Sequence, residues 1–143
     1  MRAFPGGDLQ LKVGELRMSG KLWIVPTPLG NLGDMTERAL DVLREVDTVC
    51  VEDTRVTGKL LAHFGIDAHL ERCDENVIGQ RSPQLVERMR QGERIAFCSD
   101  AGMPGVSDPG LVLVDAARDA DVAVEVLPGP SAVTTALVAA GFP

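Results

Sequence analysis

Four short segments of this chain carry residue types at spacings that chemistry could use. Glu52-Asp53-Thr54-Arg55 sets two carboxylates and a guanidinium within four residues. Carboxylates can take a proton from a weak nucleophile, and arginine can hold an anion such as phosphate. The run from Ser99 to Gly110, Ser-Asp-Ala-Gly-Met-Pro-Gly-Val-Ser-Asp-Pro-Gly, adds Asp100 and three glycines. The other two segments are Pro26 to Asp34 (Pro-Thr-Pro-Leu-Gly-Asn-Leu-Gly-Asp) and Pro128-Gly129-Pro130-Ser131-Ala132. Their glycines and small residues let a backbone come close to a ligand and offer it N–H and C=O groups.

The ligand is narrowed by what these loops lack. No Gly-Lys-Ser/Thr follows a glycine run, so there is no Walker A loop. No Gly-x-Gly-x-x-Gly follows the first apolar run, which counts against an ordinary dinucleotide fingerprint. The loops are poor in lysine, so a polar ligand without phosphate fits better than a polyphosphate. Each loop also has a structural reading. Asp100 and Asp108 can be turn or helix-cap residues. Glu52, Asp53 and Arg55 can form a solvated cluster with a local ion pair of small worth. His63 and His69 lack partner motifs and read as structural or exposed, and no metal site is proposed.

The elements that must position these loops alternate between strand and helix. Leu22 to Val25 reads as a buried strand that runs into the first loop. Asp34, with Glu37 three residues later, is a candidate helix cap, followed by Met35, Ala39, Leu40, Leu43 and Val46 at helical spacing. Thr48 to Val51 is a second strand. Leu60, Leu61 and Phe64 form a short helical stripe stopped by Gly65, and Ala68 to Leu70 a brief strand. Ser82-Pro83 marks a helix start, with Leu85, Val86 and Met89 as its apolar face and Gly92 as its end. Ile95 to Cys98 is a strand, Leu111 to Ala117 a helix, Val122 to Leu127 a strand and Ser131 to Ala140 a last helix. Strands that are apolar throughout predict an α/β fold, a mainly parallel sheet covered by helices on both faces. In such sheets ligands bind beyond the carboxyl ends of the strands, which is where all four loops fall.

The 143 residues are one domain's worth of chain, and the hydrophobic fraction of 45% suits a globular protein. Residues 1–20 carry no sustained period and read as a flexible leader. No apolar run approaches a bilayer-spanning length, and the start lacks the apolar centre of a secretory signal. Three cysteines without metal-ligand spacing suit reduced, cytosolic thiols, with Cys50 and Cys98 read as small buried hydrophobes. A net charge of −7 argues against this segment gripping nucleic acid by itself.

In order and content the loops resemble those of the tetrapyrrole methylase superfamily, closest to the ribosomal RNA small-subunit methyltransferase I group. Val25 to Asp34 matches Val-Pro-Thr-Pro-hydrophobic-Gly-Asn-Leu-x-Asp, and Glu52 to Arg55 matches Glu-Asp-Thr-Arg. Ser99 to Pro104 nearly matches Ser-Asp-Ala-Gly-Thr-Pro, Asp108 to Gly110 matches Asp-Pro-Gly, and Pro128 to Ala132 matches Pro-Gly-Pro-Ser-Ala. The resemblance covers Lys21 to Pro143 and makes residues 21–143 an N-terminal methyltransferase domain, the family's second domain being absent from this chain. It implies S-adenosylmethionine as cofactor, with contacts at Leu29, Ala101, Gly102, Met103, Val106, Ser131 and Ala132. The implied reaction is 2'-O-methylation of a cytidine ribose in bacterial 16S rRNA, on the small ribosomal subunit in the cytoplasm. Homodimers are a tendency of the family. Two departures stand out: Met103 replaces the usual threonine, and Cys73-Asp74-Glu75-Asn76 replaces a His- and Glu-rich stretch.

For that reaction Glu52, Asp53 and Asp100 are the candidate catalytic carboxylates and Arg55 the candidate for substrate phosphate. Since the family's cofactor lies between two domains, the chain is expected to fold but to methylate poorly or not at all by itself. One rival is methylation of a tetrapyrrole or another small molecule. The first loop counts against it, because Pro-Thr-Pro stands where those enzymes carry a Gly-x-Gly-Pro-Gly-Asp type of loop. A second rival is a non-catalytic cofactor-binding fragment or assembly surface.

Overall fold

Five short segments order into one sheet, the middle ones apolar and buried and the two edge ones partly exposed. In the computed structural model, which describes residues 20–105 and 109–141, the strands are β1 (Lys21–Ile24), β2 (Thr48–Val51), β3 (Leu70–Arg72), β4 (Arg94–Cys98) and β5 (Ala123–Val126). Their order across the sheet is β3-β2-β4-β1-β5, and every pairing is parallel. The expected α/β class is therefore the observed one. All four residues of β2 are buried, as are the last four of β4.

The helices are α1 (Glu37–Glu45), α2 (Thr54–His63), α3 (Ile78–Arg90), α4 (Gly110–Asp119) and α5 (Ala132–Ala140). On one face, Ala39 and Leu43 of α1 and Leu61 of α2 pack with Val49, Val51, Ala96 and Cys98. On the other, Leu85 and Met89 of α3 and Leu113 and Ala117 of α4 pack with Leu22, Ile24, Ile95 and Phe97. Alternate residues of β1, β2 and β4 thus feed opposite cores, and each fully buried large side chain contributes about 1.5–3 kcal/mol.

Several boundaries differ from the sequence reading. The cap of α1 is Thr36, whose hydroxyl accepts the Ala39 N–H at 3.1 Å. Asp34 instead ends a single 3-10 turn, Leu32–Asp34, capped by Asn31. The third strand begins at Leu70, where pairing with Val49 becomes available. Helix α3 starts four residues before Ser82, from the turn in which Asp74 O accepts the N–H groups of Val77 and Ile78. Pro83 therefore sits inside the helix, normally a costly position. The buried row Ile78, Ser82, Leu85, Val86 and Met89 offsets that cost. All three cysteines are buried, Cys73 included.

Polar contacts close the sheet margins. Arg88 of α3 makes a bidentate pair with Glu71 of β3, at 2.9 and 2.6 Å, and Arg81 also bonds Glu71. Arg88 further holds Glu93 and the Thr48 hydroxyl. At the other edge, Glu125 of β5 accepts from Lys21 Nζ at 2.9 Å and Trp23 Nε1 at 3.2 Å. The leader expected over residues 1–20 lies outside the described residues except for Gly20. That glycine is buried, and a Cβ there would lie 2.1 Å from Met89 O. No described helix is long and apolar enough to cross a membrane.

Candidate functional site

The first, third and fourth loops meet at the carboxyl edge because their backbones are hydrogen-bonded or packed together. Thr27 and Gly102 exchange two main-chain hydrogen bonds of 3.0 and 2.9 Å, an antiparallel bridge beyond the ends of β1 and β4. Beneath it the Thr27 hydroxyl donates to Ser99 O, and Ser99 Oγ donates to Ala101 O at 3.1 Å. Gly102 is at φ +79°, in the left-handed region that favours glycine. A Cβ there would sit 2.8 Å from Leu29 Cδ2 and under 4 Å from Pro130 O and Ala132 N. At Gly129 a Cβ would lie 2.4 Å from Pro26 Cγ. Three loops that share no sequence neighbourhood thus converge within van der Waals contact of one another.

Beside this junction is an open groove of about 820 Å³. Leu29 and Asp34 wall one side. Ser131, Thr134, Thr135 and Val138 wall the other, along one face of α5. The helix begins at Ser131, whose hydroxyl accepts the Thr134 N–H at 3.4 Å. It ends at Gly141, at φ +73°. None of the α5 residues is buried, and Val138 is 76% exposed. Among the described residues the groove lining holds no lysine or arginine, so it offers hydroxyls, backbone and apolar surface rather than a phosphate cradle.

The charged loop stands next to the junction. Asp53 caps α2: its Oδ1 accepts the Arg55 N–H at 2.9 Å. Both carboxylate oxygens also hold the Arg55 guanidinium, at 3.1 and 2.9 Å. Those bonds lower the Asp53 pKa to about 2. The Asp53 N–H donates to Asp100 Oδ1 at 3.2 Å, which brings the ends of β2 and β4 together. Glu52 is half-buried at the end of β2. All three candidate carboxylates therefore lie on one margin of the sheet, with Arg55 exposed to solvent beside them.

Among the expected cofactor contacts, Leu29 and Ser131 line the groove, and Gly102 and Ala132 lie at the junction. Ala101 is exposed nearby. Met103 points elsewhere, half-buried against the core that contains Phe97 and Leu113. Val106 and Asp108 fall outside the described residues. Sequence reading missed Thr134, Thr135 and Val138; their spacing of three, four and seven from Ser131 was the signal, one face of a helix. Cys73 of the Cys-Asp-Glu-Asn segment is a core residue beside Cys50, and the pairing of the two thiols lowers the Cys73 pKa while raising that of Cys50. Burial pushes the Cys98 thiol up to about 12, which makes it inert. His63 and His69 are exposed, and no group of three His, Cys, Asp or Glu among the described residues could hold a metal ion.

Comparison with known proteins gives consistent matches. The family model described as Tetrapyrrole (Corrin/Porphyrin) Methylases matches residues 21–143. Curated relatives named Ribosomal RNA small subunit methyltransferase I include one from Escherichia coli O157:H7, 51% identical over 124 residues. Another, from Vibrio cholerae, is 55% identical over 122 residues. These alignments cover 87% and 85% of this chain but 43% and 42% of the relatives, so the chain spans less than half the length of either. Among solved structures, uroporphyrin-III-C-methyltransferase from Thermus thermophilus superposes with a TM-score of 0.64 at 26% identity, over 87% of this chain and 53% of that one. Diphthine synthase, at 18% identity and a TM-score of 0.66, shares the fold.

Proposed function

The chain belongs to the tetrapyrrole (corrin/porphyrin) methylase family, and we propose that it provides the S-adenosylmethionine side of an enzyme that methylates a cytidine 2'-hydroxyl in small-subunit ribosomal RNA. Relatives at 51% and 55% identity carry the ribosomal RNA methyltransferase name. The observation that carries the cofactor reading is the junction of Leu29, Gly102 and Pro130-Ala132 beside a groove lined without lysine or arginine. A polar, flat ligand with a cationic centre suits such a lining, with Asp34 as the carboxylate on its wall. Leu29, the Gly102 backbone, Ser131 and Ala132 would hold it, joined by Thr134 and Thr135.

Bound there, S-adenosylmethionine supplies a methyl group for in-line displacement by an oxygen nucleophile. A ribose hydroxyl is a weak nucleophile, so a carboxylate near it would help by taking its proton. Asp53 is the least suited of the three candidates, since both its oxygens are committed to Arg55 and its pKa is low. Its role is to start α2 and to orient Arg55 toward substrate phosphate. Glu52 and Asp100 remain as the groups that would face the nucleotide. A chain acting on small ribosomal subunits would work in the cytoplasm, and pairing of two copies would follow the family's habit.

Calorimetric titration with S-adenosylmethionine, followed by tritiated methyl transfer to unmethylated small subunits, tests this. Saturable binding with label in the RNA, in the full protein carrying these residues, is the expected result. Label passing to a tetrapyrrole and not to RNA would sink the substrate, and absence of binding would sink the cofactor.

A further inference from the structure

The first loop has two sides, and only one of them faces the groove. Leu29 turns toward α5, whereas Pro28 and Leu32 wall a second cavity of about 250 Å³. Val56 and Leu60 of α2 also line it, and Asp100 and Lys59 are among its polar lining. We propose that this cavity seats a cytosine base, with the Asp100 carboxylate reading its exocyclic amino group; the proposal rests on the RNA methyltransferase reading above.

Four properties converge on that ligand. The cavity of about 250 Å³ is large enough to admit a single base. Its lining carries the apolar side chains of Pro28, Leu32, Val56 and Leu60, and apolar side chains can hold a base lifted out of its stack. Asp100 accepts the Asp53 N–H through Oδ1. Among the described residues no hydrogen bond engages its Oδ2. An ionised carboxylate accepts and never donates, so it favours the N4 amino group of cytosine. Uracil presents an oxygen at that position and would be repelled. Finally, Lys59 lies at the cavity and Arg55 one turn before it on α2, local cations in a chain of net charge −7. They suit the phosphate that a nucleotide brings with it. Because the loop is the shared wall, a nucleoside held by its base here would leave its ribose beside the groove. Asp100 then becomes a specificity-determining residue, and Glu52 is left as the carboxylate for the hydroxyl proton.

Amide NMR titrations of the chain with cytidine 5'-monophosphate and with uridine 5'-monophosphate test this. The cytidine nucleotide is expected to shift Val56, Thr57 and Leu60 and to bind about tenfold or more tighter than the uridine nucleotide. Asp100→Asn, whose amide both donates and accepts, should bring the two within about twofold. Val56→Trp, at a position exposed on α2, should fill the cavity and abolish the response while leaving S-adenosylmethionine shifts at Ser131 to Thr135 intact. Equal affinity of the wild-type chain for both nucleotides, or a response away from α2, overturns the proposal. S-adenosylmethionine shifts without any nucleotide response remove the base pocket and leave the methyltransferase reading standing. A cytidine preference without S-adenosylmethionine binding does the reverse.

Discussion

The main-chain N–H of Asp53 donates to Asp100 Oδ1 at 3.2 Å, joining residues 47 positions apart. This bond ties the cap of α2 to the glycine-rich loop after β4. Asp53 is held from the other side by Arg55, through its backbone and its guanidinium.

Titration of Asp53 reports that arrangement. Its carboxyl is lowered from 3.8 to about 2, chiefly by the Arg55 side-chain bonds. A group depressed in the folded state adds stability above its unfolded pKa and loses it as pH falls through the folded value. Carbon-detected NMR should place the Asp53 midpoint near 2 in the native chain. In Arg55→Ala it should rise by about one unit or more. An unchanged midpoint would mean that the pair is absent in solution.

The Glu71 cluster makes a stability prediction far from the site. Glu71 is lowered from 4.5 to about 2, first by its bonds to Arg88. Glu71→Gln should cost roughly 1–3 kcal/mol in urea unfolding at pH 7, because Arg88 and Arg81 lose a charged acceptor. The gap between native and variant should close as pH falls from about 4.5 toward 2, where the native carboxylate becomes protonated.

Gly102→Ala tests the junction. An L-residue at φ +79° costs about 1–2 kcal/mol, and its Cβ would drive Leu29 from its place. S-adenosylmethionine affinity should drop about tenfold or more by calorimetry. Wild-type affinity would show that the junction does not shape the groove.

Met103→Thr tests whether a hydroxyl at this position reaches the ligand. Met103 packs on the core and does not line the groove. The variant should bind S-adenosylmethionine within about twofold of the native chain and lose roughly 1 kcal/mol of stability. A large gain in affinity would mean that a hydroxyl there reaches the ligand.

The sheet was legible in the sequence because burial on both faces writes itself as unbroken apolar runs, such as Thr48–Val51 and Ile95–Cys98. Helix starts were less legible, since capping depends on local backbone rather than residue type. Thr36 and Asp34 are both good caps, and only the intervening 3-10 turn decides between them. Pro83 misled because buried packing from Ile78 onward overrides a local breaker. The meeting of the first, third and fourth loops at one edge was legible from their places at strand ends. Their division between two cavities was not, because Pro28 and Leu29 are sequence neighbours that face opposite ways.

Helix α5 has a thermodynamic consequence for ligand binding. It has nine residues, none of them buried, and its recognised stops are Ser131 and Gly141. A helix that short is marginal without packing, so one wall of the groove exists only for the fraction of time that the helix is wound. Affinity measured on the chain is then the intrinsic affinity scaled by that fraction. Anything that winds α5 beforehand, whether a covering surface or a better helix former at Thr135, tightens binding without touching the ligand.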